Sequence, residues 1–126
     1  MTGTVHGATS PSGRTVVLTP IGEQDVATVP VLRDALDRAL TGRVRVVVVD
    51  LQHVPFLDAT TAGALLAAHA RCRTSVRDLV VVNVLPGPAR TLRLLDPGRQ
   101  LPMVTQERVL GPAWGEAGAR PPPSHR

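Results

Sequence analysis

At 126 residues with a formal net charge of +4, the chain holds one domain, and its 43% hydrophobic content is enough for a core. Aromatics are only 2% and Tyr is absent, so that core is built from Val, Leu and Ala. No run approaches the roughly 20 apolar residues of a membrane-spanning helix, and the start lacks a signal-peptide apolar region, which predicts a soluble, cytoplasmic protein without membrane insertion.

The basic residues are all Arg and are spread along the sequence rather than gathered into a tract. Stacking aromatics of the kind single-strand binders use are missing, so direct nucleic-acid binding is not expected. Cys72 is the single cysteine, which excludes an internal disulfide and a cysteine-based metal site; it reads as a half-buried thiol on a helix. His53 and His69 have no carboxylate at metal-ligand spacing, so no metal is predicted.

Residues 1–14 are rich in Gly, Thr and Ser and read as a flexible segment carrying at most a weak first strand. Thr15 to Thr19 is a short strand expected to stop at Pro20, and Gly22 to Asp25 is a polar loop. Thr28 then reads as a helix N-cap, with Pro30 in the first turn. Leu32, Ala35, Leu36, Ala39 and Leu40 recur at helical spacing while Arg33, Asp34, Asp37 and Arg38 fill the other face, and Gly42 closes the helix. Val44 to Leu51 is a β-branched run that suits an interior strand of a parallel sheet, and Leu79 to Val84 repeats it. Between them lies a helix over about Thr60 to Arg73, a spacing that implies right-handed parallel crossovers. Pro86 to Leu95 is a third helix, stopped by Asp96-Pro97-Gly98, and Leu101 to Val104 is a small edge strand. Residues 111–126 read as a disordered Gly- and Pro-rich tail, with Trp114 either docked back or dangling. The folded domain is thus placed at 15–110.

The junction Leu57-Asp58-Ala59-Thr60-Thr61-Ala62-Gly63 carries the most chemistry. It puts a carboxylate and two hydroxyls at a helix N-terminus, where backbone N–H groups and the dipole favour negative charge. Asp58 reads as an N-cap and as a partner contact. Gly63 and the alanines around it read first as close packing of helix on sheet, and otherwise as room for a partner. Asp25 is expected at the same end of the sheet as Asp58. There is no phosphate-cradling Gly loop, no Ser-His-Asp set and no convergent carboxylate pair, so neither an enzyme nor a cofactor is indicated and no catalytic residue is assigned.

Three segments, in order, resemble the STAS domain, the fold of bacterial anti-sigma factor antagonists. Thr19 to Thr28 is similar to its "GELDLATA" segment. Val48-Val49-Asp50-Leu51 with Val54-Pro55-Phe56-Leu57-Asp58 resembles its "VVVDLSGVTFIDSSGLG" core, and Val81 to Val84 with Pro88, Ala89 and Leu92 resembles "LVNPSPAVRRVLEL". The likeness runs over roughly Val16 to Val104. It implies an α/β fold with a mixed sheet of four to five strands and helices mainly on one face. It also implies a non-enzymatic regulator that binds an anti-sigma factor, a serine kinase of the histidine-kinase-like ATPase class, and releases its sigma factor. Such a kinase phosphorylates a Ser or Thr directly after the motif Asp, breaking the complex until a phosphatase resets it. In this register Asp58 matches the motif Asp, Ala59 falls on the acceptor, Thr61 replaces the usual Gly and Gly63 matches the later one. The partner surface implied is Asp25, Asp58, Ala59, Thr60, Thr61 and Gly63, with Thr60, then Thr61, as substitute phosphoacceptors. A monomer or weak dimer is expected. The alternative is a STAS accessory subunit of a transport or other signalling complex outside phosphorylation control.

Overall fold

The computed structural model describes residues 3–109. In chain order these form β1 (Thr4–Thr9), β2 (Thr15–Ile21), α1 (Val29–Ala39), β3 (Val46–Asp50), α2 (Ala59–Thr74), β4 (Asp78–Val82), α3 (Pro86–Leu95) and β5 (Met103–Val104). A fourth helix begins at Gln106. The architecture is a mixed five-stranded sheet in the order β1-β2-β3-β4-β5, with β1 antiparallel to β2 and all other neighbours parallel.

This order explains the layering. From β2 to β5 the chain steps one strand at a time in the same direction, so right-handed crossovers place α1, α2 and α3 on one face. Strand alternation sends Val16, Leu18, Val47, Val49, Leu79 and Val81 to that face. There they meet Leu32 and Leu36 of α1, Leu65 of α2 and Leu92 of α3 in the main core. The alternate residues Val17, Val48 and Val82 are buried on the opposite face, with Val109 packed against them. Burial on both faces is why the valine runs are nearly continuous. Each fully buried Leu or Val contributes about 2 kcal/mol of transfer free energy, so aliphatics alone can sustain this core.

Three local readings change. The segment 1–14 contributes a six-residue strand, β1, paired from Thr4↔Ile21 to Thr9↔Val16. Pro20 does not end β2, because the β2–β3 ladder already stops at Leu18↔Val49. Beyond that point β2 has β1 as its strand neighbour, and Pro20 sits opposite Val5. Thr28, expected to cap α1, makes no side-chain cap bond to the helix. Its hydroxyl instead accepts from the Asp25 amide at 3.0 Å while Asp25 Oδ1 accepts from the Thr28 amide at 3.3 Å, a reciprocal capping box one turn earlier. The tail beyond residue 110, with Trp114, lies outside the described residues.

Candidate functional site

The loops that follow β2, β3 and β4 meet at the carboxyl ends of the parallel strands, where open α/β sheets place their binding sites. The first two are zipped together by backbone bonds: Gly22 N donates to His53 O (2.9 Å), Gln24 N to Phe56 O (2.9 Å) and Asp58 N to Gln24 O (3.0 Å). Gln24, 1% exposed, holds its own loop by donating from Nε2 to the carbonyls of Gly22 and Ile21. The third loop leads into α3, whose first turn meets the second loop at Gly87, where a Cβ would lie 3.6 Å from Pro55 O. Asp25 and Asp58 therefore belong to one continuous rim.

Asp58 is the N-cap of α2. Its backbone is extended (φ −91°, ψ 177°), Oδ1 accepts from the Thr61 amide at 2.9 Å, and its carbonyl accepts from the Ala62 amide at 3.0 Å. Ala59 and Thr60, the first two helical residues, are exposed. Asp25 is half-buried, and Oδ1 accepts from the Ala27 and Thr28 amides, so this carboxylate shapes its own loop. Around these groups stand exposed apolar side chains: Val26 at 69%, Phe56 at 50% and Leu85 at 38%. The rim thus presents two carboxylates, Asp25 and Asp58, each bonded to backbone amides of its own segment, together with exposed apolar side chains on three loops.

Thr61 behaves differently from its neighbour. It is 0% exposed and its hydroxyl is buried without a hydrogen-bond partner, so no kinase reaches it, which removes it as a substitute acceptor. Gly63 is also corrected: it is exposed, and a Cβ there would meet nothing within 4 Å. Close packing of helix on sheet therefore does not require glycine at this position. Cys72 is fully buried rather than half-buried. Burial pushes its thiol pKa up, with the positive charges of Arg77 and Arg71 acting the other way. Nearby, Arg71 Nη1 bonds Asp37 Oδ1 at 2.8 Å, an exposed ion pair between α1 and α2.

Asp50 was not singled out from the sequence, yet it organises the same end of the sheet. It is 3% exposed, and its Oδ1 accepts from the Gln52 amide and from Asn83 Nδ2, each at 3.0 Å. Oδ2 accepts from Gln52 Nε2 at 2.7 Å, and Asn83 Nδ2 also donates to Gln106 Oε1 at 2.9 Å. Asn83 takes φ +56°, a left-handed conformation that Asn tolerates better than most residues. The network ties the ends of β3 and β4 to the start of the fourth helix. A carboxylate closing a buried valine run was its one sequence signal. Among the described residues, no three His, Cys, Asp or Glu side chains come together to hold a metal, and no helix is long and apolar enough to cross a membrane.

Comparison with known proteins places the fold. The STAS domain family model matches residues 8–107. The fold is similar to that of the anti-sigma factor antagonist SpoIIAA in its unphosphorylated form, with a TM-score of 0.69 and 18% identity, covering 90% of this chain and 96% of that one. An anti-sigma factor antagonist from Mycobacterium paratuberculosis gives 0.67 and 22%, covering 79% of this chain and 85% of that one. The Bacillus cell fate determinant SpoIIAA in its phosphorylated form gives 0.63 and 18%, covering 85% and 95%. No curated protein matches the sequence.

Proposed function

The chain belongs to the STAS domain family, and from that premise we propose that it is a non-enzymatic anti-sigma factor antagonist. It binds an anti-sigma factor of the serine-kinase type and frees the sigma factor that the kinase holds. The observation that carries this reading is the rim itself: Asp58 capping α2 beside exposed Ala59 and Thr60, flanked by exposed Phe56 and Val26. It agrees with structural neighbours that are anti-sigma factor antagonists. By the motif's register Ala59 stands where the family carries its phosphoacceptor. Alanine has no oxygen to accept a phosphoryl group, so the antagonist stays in its binding-competent form while the kinase is active. Thr60 is the exposed hydroxyl nearest that position and the one candidate for a displaced acceptor. The protein acts in the cytoplasm as a monomer or weak dimer.

The test is a pull-down from native cell extract with the wild-type chain, Asp58→Ala and Ala59→Asp. Capture of a histidine-kinase-like ATPase by the wild type, lost with Ala59→Asp, supports the reading. Recovery of transporter subunits instead, or indifference to both substitutions, overturns it in favour of an accessory-subunit role.

A further inference from the structure

At the other end of the sheet the strand register builds a feature that no motif suggested. Thr15 pairs with Val46 and Val46 with Asp78, so Arg14, Arg45 and Arg77, each one residue upstream, stand in a single row across three adjacent strands. Backbone bonds fix the row: Arg45 N donates to Arg14 O at 2.7 Å, and Asp78 N to Arg45 O at 2.8 Å. Neighbouring parallel strands are about 4.8 Å apart, and residues in one row point to the same face. Arg43 completes the group, its Cδ 3.9 Å from where a Gly13 Cβ would lie. The four arginines line one cleft of about 300 Å³ with Gly42 and Ser75.

This is a repulsive arrangement that the protein does not neutralise internally. Among the described residues no carboxylate lies within salt-bridge distance of the four arginines; the ion pairs are Arg38–Asp34 and Arg71–Asp37. Asp78 is next to Arg77 in the chain, but alternation turns it toward the opposite face. Arg77 is held by two bonds, Nε to Val44 O at 2.8 Å and Nη2 to Gly42 O at 3.1 Å. Arg14, Arg43 and Arg45 are exposed. The C-termini of α1 and α2 end beside the cleft and supply about half a negative charge each, which offsets only part of four guanidinium charges.

We propose that this cleft binds a small anion carrying two or more phosphate groups. Guanidinium forks match phosphate oxygens in pairs, and a multivalent anion lying along the row replaces repulsion by charge-assisted hydrogen bonds. The concave shape and the absence of aromatic side chains from the lining favour a compact polyphosphate over a nucleic-acid strand, which needs an extended basic track or stacking platforms. The site lies at the amino ends of the strands, away from Asp58, and is independent of the proposed partner surface.

The experiment is calorimetric titration of the full chain with sodium pyrophosphate at 50 and 200 mM NaCl. A double variant, Arg43→Ala with Arg45→Ala, is compared with a charge-matched control, Arg33→Ala with Arg90→Ala. All four side chains are exposed, and circular dichroism verifies that each variant is folded. The expected result is one site whose affinity falls about tenfold or more in the cleft variant and less than about twofold in the control. Absence of saturable binding, or equal losses in the two variants, overturns the proposal. So does a 16-base-pair duplex that binds more tightly than pyrophosphate and depends on the same two arginines.

Discussion

Replacing Asp58 separates the cap from the charge. In Asp58→Ala the Thr61 amide loses its 2.9 Å acceptor, and because Thr61 is 0% exposed, water is a poor substitute. N-cap deletions cost about 0.5–2 kcal/mol, and burial places this one near the upper end, at about 2 kcal/mol. Asp58→Asn retains a side-chain oxygen for the same amide and loses only the carboxylate's interaction with the dipole, about 0.5 kcal/mol. Unfolding entropy scales with length to about 0.26 kcal/mol/K for 126 residues, so Asp58→Ala should lower Tm by about 7 °C and Asp58→Asn by about 2 °C. Urea denaturation followed by far-ultraviolet circular dichroism gives the same comparison, with a midpoint shift of about 1 M for Asp58→Ala. If Asp58→Ala cost less than about 0.5 kcal/mol, or if the two variants were equally destabilised, the capping account would be refuted.

Thr61→Val removes a buried hydroxyl that has no partner while keeping the branched shape, and should stabilise the fold by about 1 kcal/mol in the same urea assay; a loss would show that the hydroxyl is bonded in solution. Gly63→Ala should add about 0.5–1 kcal/mol through helix propensity, since its Cβ meets nothing, with a fall in Tm as the contrary result. Cys72 should resist iodoacetamide in the native protein at pH 8 and react only on unfolding. Because its folded pKa is raised above the unfolded value, the native state holds the proton longer. Its contribution is therefore full below the unfolded thiol pKa and is lost as pH rises toward the folded one, so stability should fall above about pH 9 more steeply in the wild type than in Cys72→Ala.

The layers of this fold were legible because their signal is local. Continuous Val runs mark strands buried on both faces, and Leu32, Leu36 and Ala39 mark a helix face without reference to anything distant. What the sequence hid depends on register or on a neighbour. Pro20 looked like a strand terminator until β3 proved shorter than β2, and Thr28 stands at the N-cap of α1 as its flanks suggested, but its hydroxyl is engaged with Asp25 rather than with the helix. The small residues around Gly63 suggested tight packing, and Ala62, Ala64 and Ala68 are indeed buried, whereas Gly63 and Ala67 stand exposed on the other side of the helix. Asp58 could be placed at a helix start from its flanks alone. That Thr61 turns inward while Thr60 stays outside follows from the angular position of each on α2, and a single-residue uncertainty in the helix start would exchange them. The row of Arg14, Arg45 and Arg77 is invisible along the chain, because only strand pairing brings together residues some thirty positions apart.

The central claim is an antagonist that no longer responds to its kinase through the usual acceptor. The most direct measurement is the affinity of the wild-type chain and Ala59→Ser for the captured anti-sigma kinase, before and after incubation with the kinase and ATP. The account predicts that the wild type takes up no phosphate and keeps its affinity, while Ala59→Ser is phosphorylated at residue 59 and loses about a hundredfold or more, as an added charge of about −2 beside Asp58 must be desolvated or repelled. Phosphate uptake by the wild type at Thr60, with release of the complex, would contradict it.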